Sequence, residues 1–496
     1  MTIEGALALL LVLVVSMLVI MVGGGIVLAL VALRWRRNRP GRPARPKPAA
    51  HSPAASSATM VPRVNTAPPP PATTAAAARS EVEAVEHGDV DADDPRIVPL
   101  GLEPATSTEA VFRNLEKIKP LLHAEAAESD RIGRTTPLAG GALRAAGLFR
   151  WGFPKERGGL GASYADRLEA VTRVARIDAG MAWVTMWLGA HGDIAGRLDD
   201  AAFAEIYPSV DLPTVFSATP LAKAVEVAGD KYRIEESRWR LGSGGYHADR
   251  WMAGAKVWDA AGDPVIDEAT GEQKFIGVWL PADKVRQADD WNPMGVRSSG
   301  SASYFLAEPV EIPRSWSFNA GADSRPYFFP FMGVLVGAAQ HLIDLTFDAL
   351  RAKSRAGTVV GSYDRTALTG ALASLDMLVL GLRGYAQYLD RVREERESGE
   401  LTRAEEAWVH TVGMPVRESL IKIRDVTADI YGTGYVSAGS EFGRVLRDIQ
   451  VAFAHGWLKL SDTGADHGAR VAQMLENPEV VPIWDTGWPV ELTSAP

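Results

Sequence analysis

Between residues ~106 and ~475 the apolar residues change their spacing twice, and this double change restricts the fold more than any single motif. Residues ~106–205 carry a helical period in Ala110–Ala127, Ala165–Ala179 and Met181–Arg197, broken at Gly158-Gly159-Leu160-Gly161. Residues ~212–316 switch to short alternating runs such as Lys231-Tyr-Arg-Ile-Glu, Trp251–Val257 and Phe275–Leu280, divided by Gly, Asp and Pro turns. The helical period then returns in Phe331–Ala352, Ala367–Arg393, Arg403–Tyr431 and Phe442–Leu460. The pattern predicts a mainly α protein with a central β domain: an N-terminal helical domain over 105–211, a middle β domain over 212–318 and a C-terminal helical bundle over 325–480.

A different segment precedes this. Ala6–Leu33 is a run of 28 residues without charge. A bilayer core needs about 20 helical residues, so the run is long enough to span with some tilt. A cleaved signal peptide fits less well, because no basic residue precedes the run and no small-residue cleavage site leads into a mature domain. Arg34, Arg36, Arg37, Arg39, Arg42, Arg45 and Lys47 follow, which places the rest of the chain on the cytoplasmic side by the positive-inside rule. The same cluster is suited to anionic lipid headgroups. Residues 34–100 are then basic, Pro/Ala-rich and finally acidic, a composition expected of a disordered tether.

Charge and composition exclude several functions. Among 496 residues, 52 Lys and Arg face 61 Asp and Glu, for a net charge of -9, which argues against a nucleic-acid binder. There is no cysteine, so disulfides, thiolate nucleophiles and cysteine-held metals are excluded. No His-Glu-x-x-His, facial His/carboxylate spacing or phosphate loop supports a metal or nucleotide site.

Three histidines stand near chemistry-bearing patterns. His191 closes the apolar stretch Met181-Ala-Trp-Val-Thr-Met-Trp-Leu-Gly-Ala-His, where a packed or capping histidine is the ordinary alternative. Ser243 and His247 lie in Trp239-Arg-Leu-Gly-Ser-Gly-Gly-Tyr-His-Ala-Asp-Arg-Trp251, a glycine-rich turn where backbone N–H groups can approach a ligand, or simply a tight turn between strands. His455 follows Arg444-Val-Leu-Arg-Asp448; on one helix Arg444, Asp448 and His455 share a face, with Gly456 at the helix end. A helix C-terminus raises a histidine pKa and burial lowers it. Tyr431-Gly-Thr-Gly-Tyr435 reads as a turn between helices, and Ser298, Ser299 and Ser301 lack a His/Asp arrangement for acyl transfer.

Taken in order, these stretches resemble the acyl-CoA dehydrogenase fold, and more narrowly the two-component flavin-dependent monooxygenases built on it, such as dibenzothiophene monooxygenase and the oxygenase components of aromatic hydroxylases. The resemblance spans ~105–475, through Pro154-Lys-Glu-Arg-Gly-Gly, Met181–His191, Ser217-Ala-Thr-Pro-Leu-Ala-Lys-Ala-Val225, Trp239–Trp251, Gly295-Val-Arg-Ser-Ser-Gly-Ser301, and Arg444–Asp448 with His455. His455-Gly456 stands where dehydrogenases keep a Glu-Gly base, and no Glu occurs from 312 to 393, where the other dehydrogenase base would lie. The dehydrogenase Glu-Pro-Gly-x-Gly-Ser-Asp flavin motif is absent, and Val359–Asp364 replaces the Arg-x-Gln-Phe-Gly that holds the FAD adenosine.

The resemblance implies an enzyme: a monooxygenase that inserts one oxygen atom of O2 into an organic, apolar aromatic substrate through a flavin C4a-hydroperoxide. A separate NAD(P)H-dependent reductase would supply the reduced flavin, FMN or FAD. It gives His455 the role of binding or deprotonating the substrate, Ser243 a contact to flavin N5 and the peroxide, and His191 the role of a second active-site histidine. Ser217, Lys223 and Arg447 become flavin-binding candidates. A homotetramer formed through the C-terminal bundle is also implied. Two alternatives stay open at this point: an acyl-CoA dehydrogenase-like oxidoreductase with an unusual base, and a non-catalytic, membrane-tethered interaction module.

Overall fold

The computed structural model describes residues 89–396, 398–437, 439–459 and 475. The expected membrane span at 6–33 and the linker as far as residue 88 lie outside the described residues. The last part of the expected linker, 89–100, is folded. Val90 N–H donates to Pro137 O at 3.2 Å, Asp89 Oδ1 lies 2.5 Å from His247 Nδ1, and Ile97 is buried. The acidic composition suggested the end of a disordered tether here, but Asp89 finds an imidazole and the Arg144 guanidinium, at 3.3 Å.

Five helices come first: α1 (Thr108–Ile132), α2 (Pro137–Ala145), α3 (Tyr164–Ala175), α4 (Ala179–Ala195) and α5 (Asp200–Ile206). Each starts at a Ser, Thr or Asp whose side chain accepts a backbone N–H, namely Ser107, Thr136, Ser163, Asp178 and Asp199. The expected helix Ala165–Ala179 ends at Ala175, because Asp178 accepts the Met181 N–H at 2.9 Å and starts α4 instead. α4 is apolar nearly all round and is buried along most of its length.

The β segment forms two sheets. β1 (Thr214–Val227), β2 (Lys231–Ile234), β4 (Arg250–Trp258), β5 (Phe275–Leu280), β8 (Val310–Pro313) and β9 (Ser317–Asn319) make six strands in the order β8-β2-β1-β4-β5-β9. β1 and β4 run parallel, with a register shift between Ser217 and Ala222. β3 (Ser237–Trp239), β7 (Tyr304–Leu306) and β6 (Val285–Gln287) form the smaller sheet, ordered β3-β7-β6. The Ser243 turn joins β3 to β4, and the loop around 295–303 leads into β7.

The C-terminal part comprises α6 (Phe331–Arg355), α7 (Ser362–Glu395), α8 (Arg403–His410), α9 (Gly413–Tyr431) and α10 (Glu441–Ala452). α6 lies against α3 at backbone distance: a Cβ on Gly333 would sit 2.7 Å from Leu168 O, and one on Gly337 2.3 Å from Thr172 O. Among the described residues, α7 is the one helix long and apolar enough to cross a bilayer, yet Leu368, Ala371, Leu375 and Leu382 on it are buried in the bundle core. The run Arg403–Tyr431, expected as one helix, is two. A Cβ on Gly413 would meet Trp457 O at 2.0 Å, so the backbone breaks where the chain after α10 crosses it.

Candidate active site

Helix α4 sets Trp183, Trp187 and His191 at intervals of four, on one face. His191 is 1% exposed and its Nδ1 lies 2.5 Å from Thr214 O. A carbonyl only accepts, so the ring proton sits on Nδ1 and Nε2 keeps a bare lone pair. That Nε2 is buried without a hydrogen-bond partner among the described residues, and so is Trp187 Nε1. Burial lowers the His191 pKa to about 4, against the opposing pull of the Thr214 carbonyl.

His455 reaches the same place from the far end of the chain. The expected helix Phe442–Leu460 stops at Ala452, and His455 is extended, at φ -67° and ψ 141°. It therefore does not share a helical face with Arg444 and Asp448. The helix-end effect on its pKa gives way to burial, which lowers the value to about 4. His455 Nδ1 accepts the Trp457 N–H in a long 3.4 Å contact, leaving the ring proton on Nε2. The imidazole packs against Phe331 at 4.4 Å between ring centres, Trp183 at 5.7 Å and Trp187 at 6.0 Å. His191 lies 5.9 Å from Trp187, with Phe216 and Phe328 at 5.9 and 6.2 Å.

Ser243 completes the group, since Trp183 Nε1–H donates to its Oγ at 3.0 Å. Ser301 Oγ lies 2.8 Å from Ser243 Oγ. The loop carrying Ser301 is pinned from several sides. Asp448 accepts the Val296 N–H at 2.6 Å, Thr135 Oγ1 donates to Ser298 O at 2.8 Å, and the Ser298 hydroxyl donates to Asp178. Arg444 stands 3.7 Å from Asp178. Burial and the neighbouring Asp178 push the Asp448 pKa up, to about 8.

The structure thus gathers His455, His191 and Ser243 around two tryptophans, and ties the other candidates to partners of their own. The Ser217 hydroxyl is spent on Arg240 O at 2.5 Å, and its N–H on the Tyr304 hydroxyl at 2.8 Å. Lys223 is exposed, with its ammonium over the Trp258 ring. Arg447 donates to Met294 O at 3.0 Å and pairs with Asp130, holding α10 to the 295–301 loop. His247 serves the Asp89–Arg144 network. Trp183, Trp187, Phe328 and Phe331 were not singled out from the sequence, and Ser301 was weighed there only for acyl transfer. The spacing 183, 187, 191 carried a signal for the tryptophans, whereas the Ser301 contact crosses 58 residues and has no local trace.

No protein-family model matches the chain. It is similar to the pigment production hydroxylase of Rhodococcus erythropolis, at 28% identity over 39% of this chain and 48% of that protein. It is also similar to the flavin-dependent monooxygenase oxygenase subunit HsaA of Rhodococcus jostii, at 26% over 42% of this chain and 52% of that protein. The chain therefore spans about half the length of these curated relatives. Among solved structures, XiaF from Streptomyces in complex with FADH2 and glycerol superposes with a TM-score of 0.66 at 18% identity, over 76% of this chain and 97% of that one. The relatives and neighbours include oxygenase components and subunits of flavin-dependent monooxygenases, and the fold is the acyl-CoA dehydrogenase fold they share. The resemblance drawn from the motifs is borne out in relatives and fold.

The residues present fit a flavin. A partly exposed hydroxyl, two unpartnered buried ring nitrogens and a wall of aromatic rings suit a flat ring system rich in nitrogen and oxygen. Among the described residues, no carboxylate shifts either imidazole.

Proposed function

We propose that the chain is the oxygenase component of a flavin-dependent monooxygenase that hydroxylates an aromatic substrate bearing a hydroxyl group. Reduced flavin, FMN or FAD, would come from a separate NAD(P)H-dependent reductase. The observation that carries this reading is the pair of opposite tautomers. His191 offers a bare Nε2 and His455 offers an Nε2–H, both neutral at pH 7 and both against Trp187.

When bound, reduced flavin supplies the activation of O2. The chain's own residues do the rest. Ser243 and Trp183 are the side chains that would hold the flavin. His191 accepts a hydrogen bond from the substrate's hydroxyl at Nε2, which polarises the O–H bond and makes an aromatic ring richer in electrons at the carbon to be oxygenated. His455 donates from Nε2 to an oxygen of the reacting pair. Trp183, Trp187, Phe216, Phe328 and Phe331 exclude water, which would otherwise divert the oxygen to hydrogen peroxide. Among the described residues no carboxylate shifts either imidazole, so a dehydrogenase reading has no base to support it there.

The finer expectations are proposals as well. Residues 6–33 anchor the chain in a membrane with the folded part on the cytoplasmic side, supported by the uncharged run and the basic cluster after it. A homotetramer is supported by apolar side chains left on the outer face of α7: Tyr363, Met377 and Leu380 are each more than half exposed, beside an apolar trough of about 410 Å³ lined by Phe347, Val360 and Leu372.

The test is to mix the full chain with FMNH2 or FADH2, oxygen and phenol as probe. The expected result is a flavin absorbance distinct from both the reduced and oxidised forms, followed by hydroxylated probe. Immediate appearance of oxidised flavin with equimolar peroxide overturns the reading.

A further inference from the structure

Behind Ser243, three hydroxyls run inward in a chain. Ser243 Oγ is 2.8 Å from Ser301 Oγ, and Ser301 Oγ is 2.8 Å from Ser299 Oγ. Trp183 Nε1–H reaches Ser243 Oγ at 3.0 Å. Ser299 is 1% and Ser301 5% exposed, while Ser243 is only partly buried. Among the described residues these three side-chain oxygens have no other hydrogen-bond partner.

The direction of the chain follows from counting protons. Each hydroxyl carries one, and the indole nitrogen only donates. Two hydroxyl–hydroxyl contacts consume two of the three hydroxyl protons, so one is left over. If Ser243 donated to Ser301 and Ser301 to Ser299, the surplus proton would sit on Ser299, buried with no acceptor. If both ends donated to Ser301, the surplus would be stranded on Ser301. A buried donor without a partner gives up its hydration and gains nothing. Only the order Ser299 to Ser301 to Ser243 leaves the surplus proton at the partly exposed end.

We infer that Ser299 and Ser301 are positioning residues that hold the Ser243 O–H aimed out of the chain, toward a ligand, as a donor whose two lone pairs are already occupied by Trp183 and Ser301. Ser243 then meets its ligand through an acceptor atom: a ring nitrogen carrying a lone pair, or an oxygen. A ligand N–H has to find its acceptor elsewhere. The relay is held in place because its loop is fixed by Asp178, Asp448 and Thr135, and because Gly244 N–H donates to Ser299 O at 3.0 Å. The identity of the ligand as a flavin rests on the reading above, whereas the order of the protons does not.

Two measurements test this. Neutron diffraction from the perdeuterated full chain should show deuterons on Ser299 toward Ser301, on Ser301 toward Ser243, and on Ser243 away from both. Any deuteron running from Ser243 to Ser301 overturns the inference. Separately, oxidised FMN, which carries an unprotonated ring nitrogen, is titrated into the wild type and variants. Ser301→Ala and Ser243→Ala should each weaken binding about tenfold, the double variant no further than Ser243→Ala, and Ser301→Thr should restore it. Wild-type affinity in Ser301→Ala, or losses that multiply in the double variant, also overturns it. If the wild type binds neither FMN nor FAD, oxidised or reduced, the flavin reading falls, and the neutron measurement still decides the relay.

Discussion

His191 and His455, 264 positions apart in the chain, stand against one indole, Trp187, at 5.9 and 6.0 Å between ring centres, with their ring protons on opposite nitrogens. One is fixed by a main-chain carbonyl and the other by a main-chain N–H. Neither depends on a carboxylate partner, so each keeps its tautomer as long as the backbone around it stays folded.

The two imidazoles should fail in the same way. His191→Asn and His455→Asn should each lower hydroxylation about 10²–10⁴-fold while flavin reoxidation continues, so that reducing equivalents leave as peroxide. Parallel assays of hydroxylated probe and hydrogen peroxide check this. A variant that hydroxylates at the wild-type rate removes that residue from the mechanism.

The acid limit of activity should lie near pH 4, well below the ~6.5 of a solvated histidine, because burial depresses both pKa values to about 4. The same shift acts on stability. Unfolded histidines take up protons near 6.5 and the folded ones resist until about 4, so the unfolded chain binds more protons between these values. This contribution is fully present above about pH 6.5 and is lost as pH falls toward 4. Urea unfolding across that range, in the wild type and in the histidine variants, reads the difference.

Asp448 acts with the opposite sign. Its folded pKa is raised to about 8, so the native state holds a proton that the unfolded carboxylate has released above about pH 4. Its contribution to stability is fullest below about pH 4 and declines as pH rises toward 8. Asp448→Asn keeps an acceptor for the Val296 N–H and removes the titration. Its stability should therefore change less with pH than that of the wild type, as read by unfolding at about pH 5 and about pH 9.

Deleting residues 6–33 should move the chain from the membrane fraction to the supernatant after an alkaline carbonate wash, with the helical circular dichroism of the folded part retained. A full-length chain already found in the supernatant would remove the anchor.

Much of the architecture was legible because it is written in period. The position of β4 and β5 and the long stripes of α6 and α7 follow from where apolar residues recur, but β4 and β5 are buried along nearly their whole length and not on alternate residues, because both faces of these central strands are covered. The breaks were less legible. α8 and α9 separate because Gly413 must clear the Trp457 carbonyl, a contact between segments 44 residues apart that no local window contains. For the same reason the end of α10 at Ala452 was missed, and with it the surroundings of His455. Ser243 was visible through its glycines, whereas Ser301 acquires meaning only once β3 and β7 are paired. Ser217 and Lys223 were suggested by likeness to other proteins, and folding commits the Ser217 hydroxyl to a main-chain carbonyl and leaves the Lys223 ammonium over an outer indole.

Phe331, the first residue of α6, lies against His455, and two and six residues later Gly333 and Gly337 press the helix onto the α3 backbone. A helix seated carbonyl to Cα has no slack to slide or tilt. The wall beside His455 is accordingly a fixed plate, and if the proposed site takes a substrate here, variants for bulkier guests would have to trim rings such as Phe328 or Phe331, since retreat of the plate itself is closed to them.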